Sequence, residues 1–496
     1  MALPPLSSTS PSSWRYTAEG GANLVLSFDG PSESPYSGRA LRLRKRKKRT
    51  VKVGEQVNDE IDTRFGTRVI EPILGSEQVV QQEKGSLARD WQEQLVRQMT
   101  EDHVRPLERE LEDEVDLHAG EAVIVEDLVG GKDIIAVEIK PKWGFLPSAN
   151  RLSPSTSGVK TSFCRFCMHR YAKRFTSSGP LSPADVSAAL DEHQKGYCPM
   201  DLYSTDAQRR ERAVEALYAG WIDSQGEGNS LRFFLNGRRL SPADPDDVCE
   251  LNAALQRLHP AFPHGNESSD LSPALSSLFA STVSTALLTS PLLPNLRHLQ
   301  RTLDPLDIEG LASLLALNEN GKIDLFSPSV DLSALGEQPS SAEWAEWMER
   351  YLPKIQSAPS PPPSCSAFSS VRLDKREVAA RAFLTPSSTS PTTENPLRDA
   401  ILAYLLSATF KDCSIILRFP LQPPDCPPSS PSSPSRSPAP AQVGSQISIK
   451  AIDLDPKPLK RLGKYAKMDR EIVEKWKGFL EGLSGNERKD LRRCTE

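Results

Sequence analysis

Two short runs that mix carboxylates with lysines each follow an apolar segment of the chain. The first is Val137-Glu138-Ile139-Lys140-Pro141-Lys142, and the second is Ile452-Asp453-Leu454-Asp455-Pro456-Lys457. Alternate residues of a strand share one face, so Glu138, Lys140 and Lys142 are predicted to point to the same side. Carboxylates can hold Mg²⁺ and lysines can neutralise phosphate oxygens, so the fold is predicted to join the two runs into one phosphate-handling site at strand ends.

Size and composition set the outer limits of the fold. A chain of 496 residues exceeds one typical core, so two lobes or more are expected. The 60 basic and 65 acidic residues leave a net charge of −5, which argues against a nucleic-acid footprint over the whole protein. Proline and serine cluster in three segments that we expect to be disordered or flexible: residues 1–13, 357–366 and 420–441.

Cysteine usage and hydropathy indicate an intracellular, reduced protein without a membrane span. The eight cysteines show no paired spacing apart from Cys164 and Cys167. The least charged long stretch, residues 271–296, is interrupted by prolines, serines and threonines, so it is not a transmembrane helix.

The order of strand and helix patterns predicts an α+β chain. Residues 14–28 read as a hairpin around Gly20-Gly21, 39–53 as a further strand, and 121–139 as strand, turn, strand. Helices are expected over much of 91–114, 182–220 and 241–365. Glu126-Asp127-Leu128, between the two apolar strands, is expected to be a hinge. A short strand over 231–235 ends in an Asn236-Gly237 turn, and two strands, 413–419 and 446–454, flank the Pro/Ser insertion. We therefore predict a smaller N-terminal α/β lobe and a larger C-terminal α+β lobe with helical insertions.

These runs resemble the inositol-pentakisphosphate 2-kinase family. The resemblance rests on five motifs in family order, namely the two charged runs with Glu19-Gly20-Gly21-Ala22-Asn23-Leu24-Val25, Cys164-Arg165-Phe166-Cys167-Met168-His169 and Lys411-Asp412-Cys413-Ser414-Ile415-Ile416. It covers roughly residues 14–240 and 398–480. It implies a two-lobed kinase-like fold that uses ATP and Mg²⁺, with a nucleotide-binding lobe over 14–144, an inositol-phosphate-binding lobe over 145–480 and a tail over 481–496.

The resemblance also implies roles for individual residues. Asp412 would be the general base and Asp453 the Mg²⁺ ligand, while Lys142 would serve both catalysis and acceptor binding. The nucleotide would be bound by Gly20, Gly21, Ala22, Asn23, Arg42, Glu126, Asp127, Leu128, Glu138, Lys140, Arg232 and Asp453. Phosphates of the acceptor would be bound by Arg105, Lys142, Arg165, His169, Lys173, Asn229, Lys457, Arg461 and Tyr465. Two of these groups recur every four residues, which predicts that each lies on one helical face: Arg165, His169 and Lys173, and Lys457, Arg461 and Tyr465.

Spacing alone allows a second interpretation of the cysteine motif. Cys164-x-x-Cys167 followed by His169 has the form of half a zinc site. The second half is poor, because His193 and Cys198 are the only nearby candidates and their spacing is irregular. The resemblance makes the two cysteines packing residues. Some family members carry a separate zinc site in the C-terminal lobe. Between residues 240 and 400 this sequence has no Cys/His cluster that could form that site. Zinc is therefore the weaker interpretation.

The basic run at residues 42–49 suggests a nuclear localisation signal, or alternatively a strand that ends in a solvated turn. No aromatic residues interleave with it to stack bases, so RNA binding is less favoured. We expect a monomer in the nucleus, the cytoplasm or both, with ATP and inositol pentakisphosphate as its ligands.

The predicted function is ATP-dependent phosphorylation of the 2-hydroxyl of inositol 1,3,4,5,6-pentakisphosphate, which forms the hexakisphosphate. Walker A and His-Arg-Asp motifs do not occur in the sequence, so P-loop NTPases and protein kinases are disfavoured. Two alternatives remain open at this point. One is a non-catalytic protein that binds inositol polyphosphates or RNA, and the other is a kinase of lower inositol phosphates.

Overall fold

The computed structural model describes residues 3–48, 63–175, 182–258, 273–318, 323–327, 332–357, 396–421 and 447–496. In these residues helices accompany two antiparallel sheets, one of six strands and one of five. The prediction of a mixed α+β chain is therefore confirmed.

The first sheet is built from the early part of the chain. Its strands follow the order β1-β2-β3-β6-β4, and β5 pairs with β3. Leu24, Leu26, Leu41 and Leu43 alternate along β2 and β3 and are buried against the apolar face of a helix that contains Trp91. The bounds are β1 Trp14–Glu19, β2 Asn23–Phe28, β3 Arg39–Lys47, β4 Gln82–Ser86, β5 Asp113–Val115 and β6 Glu121–Glu126.

The segment before β1 is packed against this sheet. Leu6 is fully buried in the same apolar cluster as Trp14. The indole N–H of Trp91 donates to the carbonyl of Thr9 over 2.8 Å, and that of Trp14 donates to the Thr9 hydroxyl over 2.9 Å. The prediction of a disordered leader is therefore wrong for residues 3–13. The Pro/Ser composition suggests disorder, but one buried leucine and two indole hydrogen bonds hold the segment against the sheet.

The chain changes sheets between β6 and β7. Strand β7 (Ile134–Ile139) lies at the centre of the second sheet, whose order is β11-β10-β7-β8-β9. The switch at residues 127–133 includes two residues of the predicted hinge Glu126-Asp127-Leu128, and it precedes the predicted lobe boundary at residue 144. The remaining bounds are β8 Leu231–Leu235, β9 Arg238–Arg239, β10 Ser414–Pro420 and β11 Ser448–Ile452.

The second sheet contains a tight turn between β8 and β9, at the position where the sequence predicted one. Asn236 and Gly237, which join β8 to β9, both adopt positive φ angles, of 50° and 83°. Strands β10 and β11 pair from Ser414 opposite Ile452 to Arg418 opposite Ser448, which confirms that the Pro/Ser insertion connects two paired strands. Residues 422–441 of that insertion and residues 358–366 of the other flexible segment lie outside the described residues.

Helices pack around the second sheet. A single large core joins β7, β8 and β10 to the helices that follow, and Trp221 meets Phe233 at a ring distance of 4.8 Å. The helices are α1 Glu71–Leu74, α2 Arg89–Glu101, α3 Leu107–Glu112, α4 Pro154–Lys160, α5 Arg165–Arg174, α6 Pro183–Lys195, α7 Pro199–Leu202, α8 Ala207–Asp223, α9 Pro245–Leu258, α10 Pro273–Thr289, α11 Leu292–Thr302, α12 Asp307–Asn318, α13 Ser341–Ser357, α14 Pro396–Lys411, α15 Leu462–Gly482 and α16 Gly485–Asp490.

Among the described helices none is by itself both long and apolar enough to cross a membrane. One bent pair, Leu275–Thr289 with Leu292–Ala316, meets the length and composition criteria only when the two helices are taken together.

Candidate active site

A cleft of about 320 Å³ separates the two sheets. Val25 and Ala40 line it from the first sheet, and Ile416 and Ile452 line it from the second. Apolar side chains on two opposed walls form a slot that suits a flat ring. The residues predicted to bind nucleotide that line this cleft are Gly20, Gly21, Ala22, Asn23, Arg42, Glu126, Asp127, Leu128, Glu138 and Asp453.

The Gly-Gly turn leaves its backbone open toward the cleft. The N–H of Gly20 donates to the carbonyl of Asn23 over 2.9 Å, which closes the turn between β1 and β2. Neither glycine adopts a positive φ, and a Cβ added to Gly20 or Gly21 would meet nothing within 4 Å. These glycines are therefore not required by the fold, and their effect is to keep the space above the turn clear.

Charged side chains connect the two sheets at the cleft. Glu126, the last residue of β6, accepts a bond of 2.6 Å from Lys450 of β11. Arg42 of β3 lies 3.7 Å from Asp455, which follows β11, and with its amide oriented to satisfy both neighbours Asn23 accepts from the same guanidinium. Both ion pairs join the first sheet to β11 or to the residues directly after it, which include Asp453.

The segment that changes sheets is fixed by its own side chain. The Asp127 carboxylate accepts hydrogen bonds from the N–H groups of Val129 and Gly130, at 3.0 and 2.8 Å. Its own N–H donates to the carbonyl of Gly38. No described residue accepts a hydrogen bond from the N–H of Leu128, which lies between them.

Two carboxylates meet at the inner end of the cleft. Glu138 is buried and accepts from Arg232 at 3.2 Å and from the Ser414 hydroxyl at 2.7 Å. Asp453 accepts from Lys140 at 3.1 Å and lies 3.3 Å from the same hydroxyl. Ser414 has one proton, which it gives to one carboxylate at a time. Ser414, which the sequence interpretation missed, thus joins the predicted residues Glu138 and Asp453, and each carboxylate also bonds one predicted cation, Arg232 or Lys140.

Lys142 lies beyond the strand that was predicted to carry it. Strand β7 ends at Ile139, and Lys142 adopts a φ of 61°. The prediction that it shares a strand face with Glu138 and Lys140 is therefore wrong, because Pro141 cannot donate to the sheet and the chain turns away. Burial, and next the charge of Lys140, lower the pKa of Lys142 to about 8, although Asp412 opposes this shift.

A buried glutamine fixes this turn. The amide nitrogen of Gln300 donates to the carbonyls of Lys142 and Phe410, at 3.0 and 2.9 Å, and its oxygen accepts from the N–H of Gly144 at 2.7 Å. Phe410 lies two residues before Asp412, so one side chain holds the segments that carry both predicted catalytic residues. Nothing in the sequence indicated this role, because a single glutamine on an amphipathic helix is common.

Asp412 lies between the end of α14 and the start of β10, as predicted. Its carboxylate accepts a bond of 2.8 Å from Lys457. Burial alone would raise the pKa of Asp412, but Lys457, Lys142 and Lys140 outweigh it and lower that pKa below its usual value. The carboxylate is therefore ionised at neutral pH, and a low pKa makes it better suited to orient a hydroxyl than to remove its proton fully.

Helix α5 presents Arg165, His169 and Lys173 at intervals of four residues, the one-face spacing that the sequence predicted. Burial and then Arg165, Lys173 and Lys142 lower the pKa of His169 to about 4. Arg165 pairs with Asp469 at 3.2 Å and stacks over Trp143 at 4.9 Å. The α5 face and the Lys142 turn thus form one cationic surface. Its positive charge disfavours protonation of His169 and of Lys142.

The second charged run is not one helical face. Lys457 precedes the helix, Arg461 closes a single 3₁₀ turn and is exposed, and Tyr465 lies in the first turn of α15, where its ring faces that of Tyr404 at 6.3 Å. Pro456 and Pro458 keep the chain extended before residue 459. Lys457 therefore lies outside the helix, and the residues of the predicted four-residue repeat do not share one helical face. Of Lys457, Arg461 and Tyr465, only Lys457 contacts another predicted site residue, because it forms an ion pair with Asp412.

Two predicted acceptor residues lie apart from this cluster. Arg105 is buried between Glu19 and Asp113, with both contacts at 2.7 Å, and the same two carboxylates bind Lys45. An acceptor contact would require breaking these ion pairs, so the structure does not bring Arg105 to the site. Asn229 is exposed one residue before Ser230, whose carbonyl accepts from the N–H of Lys140 at 3.0 Å.

The cysteine motif is divided between two environments. His169 faces the cationic surface, whereas Cys164 and Cys167 are buried on the opposite side of α5 with Cys198. His193 bonds the carbonyl of Arg492 and is not part of that group. A fourth residue, Cys494, joins the three cysteines, and the sequence interpretation did not consider it.

Comparison with known proteins gives a consistent result. The family model described as inositol-pentakisphosphate 2-kinase matches residues 16–471. An inositol-pentakisphosphate 2-kinase of Cryptococcus neoformans var. neoformans serotype D is 29% identical over 485 residues, covering 96% of this chain and 95% of the relative. One from Arabidopsis thaliana is 27% identical over 498 residues, with 93% and 92% coverage, and one from Danio rerio is 26% identical over 273 residues, with 51% and 50% coverage.

Proposed function

The chain belongs to the inositol-pentakisphosphate 2-kinase family, and we propose that it transfers the terminal phosphoryl group of ATP to the 2-hydroxyl of inositol 1,3,4,5,6-pentakisphosphate. The observation that carries the proposal is the contact between two halves of one site. A pair of carboxylates joined through Ser414 meets a cationic surface in which Lys142 and His169 both have lowered pKa values. Phosphoryl transfer to a polyanion needs that combination.

The cleft between the sheets would hold ATP. Adenine would lie between Val25 and Ala40 on one wall and Ile416 and Ile452 on the other, and the N–H of Leu128, which lines the cleft, would donate to a ring nitrogen. The open backbone of Gly20 and Gly21 and the guanidinium of Arg42 would then approach the phosphates. This arrangement supports a two-lobed kinase-like architecture in which residues 127–133 connect the lobes.

Asp453 and Glu138 fit a Mg²⁺ site in donor chemistry. Hard oxygen ligands are what this ion requires, and Asp453 is half exposed toward the cleft while Glu138 already holds Arg232 and Ser414. Asp453 would therefore bind the ion and Glu138 would orient its neighbours. When bound, Mg²⁺ neutralises charge on the transferred phosphoryl group. Lys140, which bonds Asp453, would reach the phosphates from the same strand end.

The acceptor would lie on the cationic surface. Lys142, Arg165, His169 and Lys173 would bind its phosphates, and Lys457 would add a contact beside Asp412. Arginine can form two parallel bonds to a phosphate, whereas lysine acts as a point charge. Ionised Asp412 would accept a hydrogen bond from the attacking hydroxyl and hold its oxygen toward the phosphoryl group. The roles of Asn229, Arg461 and Tyr465 rest on the family resemblance.

The direct test incubates the purified protein with labelled ATP, Mg²⁺ and inositol pentakisphosphate, and separates the products by anion exchange. Label should appear in the hexakisphosphate, and Asp412→Asn should serve as the inactive control. If a folded protein binds the pentakisphosphate in calorimetry yet transfers no label, the proposal fails and a non-catalytic binding protein takes its place. Efficient labelling of tetrakisphosphates instead would indicate a kinase of lower inositol phosphates.

Nuclear or cytoplasmic residence is a separate proposal. Of the basic run, Lys45 is buried, and Arg46 and Lys47 pair with Glu114 and Glu112, so much of its charge is already neutralised within the sheet. An import receptor would depend on the exposed end of β3. Replacing Lys47 and Lys48 by alanine in a fluorescent fusion should therefore reduce nuclear signal if this run directs import, and an unchanged distribution would contradict that role.

A further inference from the structure

A buried carboxylate lies directly behind the cationic surface. Asp469, on α15, is 4% exposed, and its two oxygens accept hydrogen bonds from two different cations. Asp469 Oδ1 accepts from Arg165 Nε at 3.2 Å, and Oδ2 accepts from Lys160 Nζ at 2.8 Å. A negative charge at this position repels a polyanion, so attraction of the acceptor does not explain why a carboxylate is placed here.

The bond to Asp469 leaves the outer end of the Arg165 side chain available. Nε is the guanidinium donor nearest the backbone, and Asp469 occupies it. Among the described residues neither Nη atom of Arg165 has a hydrogen-bond partner, and both retain some contact with solvent. Two Nη groups form a fork that can bind two oxygens of one phosphate. Asp469 therefore holds the side chain by its inner donor and spares the outer donors.

The same guanidinium lies over an aromatic ring. Its central carbon is 4.9 Å from the centroid of the Trp143 ring, and Lys411 Nζ is 4.1 Å from that centroid. Trp143 directly follows Lys142, and Lys411 directly precedes Asp412. An arginine that is held at one edge by a carboxylate and on one face by an indole has few rotamers left. Arg165 is thus oriented, before any ligand binds, relative to the two segments that carry the predicted catalytic residues.

The second cation fixes Asp469 itself. Lys160, the last residue of α4, is 3% exposed and also bonds Asp307, the first residue of α12, while Glu309 lies 3.5 Å from the same ammonium. Because Lys160 has three carboxylate partners, it keeps two of them when either aspartate is replaced by asparagine. Asp307 shares this lysine with Asp469 and forms no ion pair with Arg165, so it offers a matched comparison.

We propose that Asp469 is a positioning residue for acceptor binding, which holds the Arg165 guanidinium against Trp143 so that Nη1 and Nη2 face one phosphate. The inference rests on the proposed function, because it takes the polyanion bound at this surface to be the acceptor. Without Asp469, Arg165 would lose rotamer freedom only on binding, which lowers the affinity about three- to tenfold. Charge alone predicts the opposite sign, since removal of a carboxylate makes the surface more positive and tightens polyanion binding.

Calorimetric titration with inositol pentakisphosphate tests this sign. Asp469→Asn should bind it about three- to tenfold more weakly than the wild type, with ATP binding unchanged because Asp469 does not line the cleft. The matched control, Asp307→Asn, should bind it at least as tightly as the wild type. Arg165→Met should lose about ten- to a hundredfold, and adding Asp469→Asn to it should cause no further loss, because Asp469 acts through Arg165.

Three results would each overturn the proposal: unchanged or tighter binding by Asp469→Asn, an equal loss in Asp307→Asn, or a further loss in the double variant. If Asp469→Asn does not fold, Trp143→Leu decides instead, because it frees the face of the guanidinium and leaves the ion pairs in place. It should weaken acceptor binding about two- to fivefold, and unchanged binding would overturn the proposal.

Failure of the proposed function gives a different pattern. A wild-type protein that binds the pentakisphosphate but transfers no label is not the kinase, and the positioning role of Asp469 is then decided by the binding data alone. A folded wild-type protein that does not bind the pentakisphosphate at all would overturn both proposals.

Discussion

Replacing Lys142 by methionine is expected to stabilise the protein. Burial, and after it the charge of Lys140, lower the pKa of this lysine from 10.5 to about 8. At pH 7 the amine is charged in both the folded and the unfolded chain. The lowered pKa therefore measures how much the buried charge reduces the free energy of unfolding. At about 1.4 kcal/mol for each pKa unit, the cost is about 3 kcal/mol, and an uncharged side chain avoids it.

The sign of the effect changes with pH in a defined way. The unfolded chain keeps the proton up to pH 10.5, whereas the folded chain releases it above pH 8, so the wild-type protein gains stability as pH rises between these values. The advantage of Lys142→Met is therefore full below pH 8 and should shrink by about 1 kcal/mol between pH 7 and pH 9. Methionine keeps the apolar stem, and the positive φ is no less favourable for it than for lysine.

Differential scanning calorimetry at pH 7 and pH 9 measures this effect. Unfolding entropy of about 2.1 cal/mol/K per residue over 496 residues gives about 1 kcal/mol for each degree, so the midpoint should rise by about 3 °C at pH 7. The control is Lys467→Met, an exposed lysine near Glu471, for which a change within about 0.5 kcal/mol is expected. A lower midpoint for Lys142→Met at pH 7, or a gain that is no smaller at pH 9 than at pH 7, would refute the reasoning.

The same variant should lose acceptor affinity. One charge-assisted contact to a phosphate contributes about 1.5–3 kcal/mol, so the KM for the pentakisphosphate should rise about ten- to a hundredfold. ATP affinity should stay close to that of the wild type, because Lys142 does not line the cleft between the sheets. An unchanged acceptor KM would show that Lys142 does not bind the acceptor, whatever its effect on stability.

Four further changes test separate parts of the protein. Asp412→Asn should bind both ligands and turn over orders of magnitude more slowly, whereas Asp453→Asn should also lose Mg²⁺-dependent ATP binding in calorimetry; the reverse pattern would exchange their roles. Gln300→Leu should lower kcat/KM for the acceptor with little change in ATP binding, and equal losses for both ligands would indicate general unfolding. Deleting residues 424–443 should leave activity and melting nearly unchanged, because β10 and β11 still pair and a shorter loop costs little entropy; a large loss would show that this segment is packed.

The sequence predicted the strands better than their partners. Alternating apolar residues identified β2, β3, β7 and β10, and Asn236-Gly237 marked a turn, because both signals are local. Periodicity does not say which strand pairs with which. The change of sheet between β6 and β7 was therefore not predicted as such, although Glu126-Asp127-Leu128 was expected to be a hinge.

The predicted site residues were found through motifs, and the residues that position them were not. Ser414 joins Glu138 to Asp453, yet in the sequence it is one small polar residue at the start of an apolar strand. Gln300 and Cys494 lie more than 100 residues from the segments they hold in place, so nothing in the local pattern indicates their contacts. A motif reports chemistry at a strand end, whereas the supporting contacts depend on the complete fold.

Lys142 and Asp453 share a feature that explains why strand ends carry this site. Each follows a strand closely, and they adopt φ angles of 61° and 60°, a region that costs a residue other than glycine about 1 kcal/mol or more. Gln300 holds the first turn, and Ser414 with Lys140 holds the second. Lys142 carries the further cost of its buried charge. Packing of the core beneath the strand ends offsets both costs, and phosphate binding would relieve the charge cost. The protein without ligands therefore already has the geometry that a polyanion and a nucleotide require.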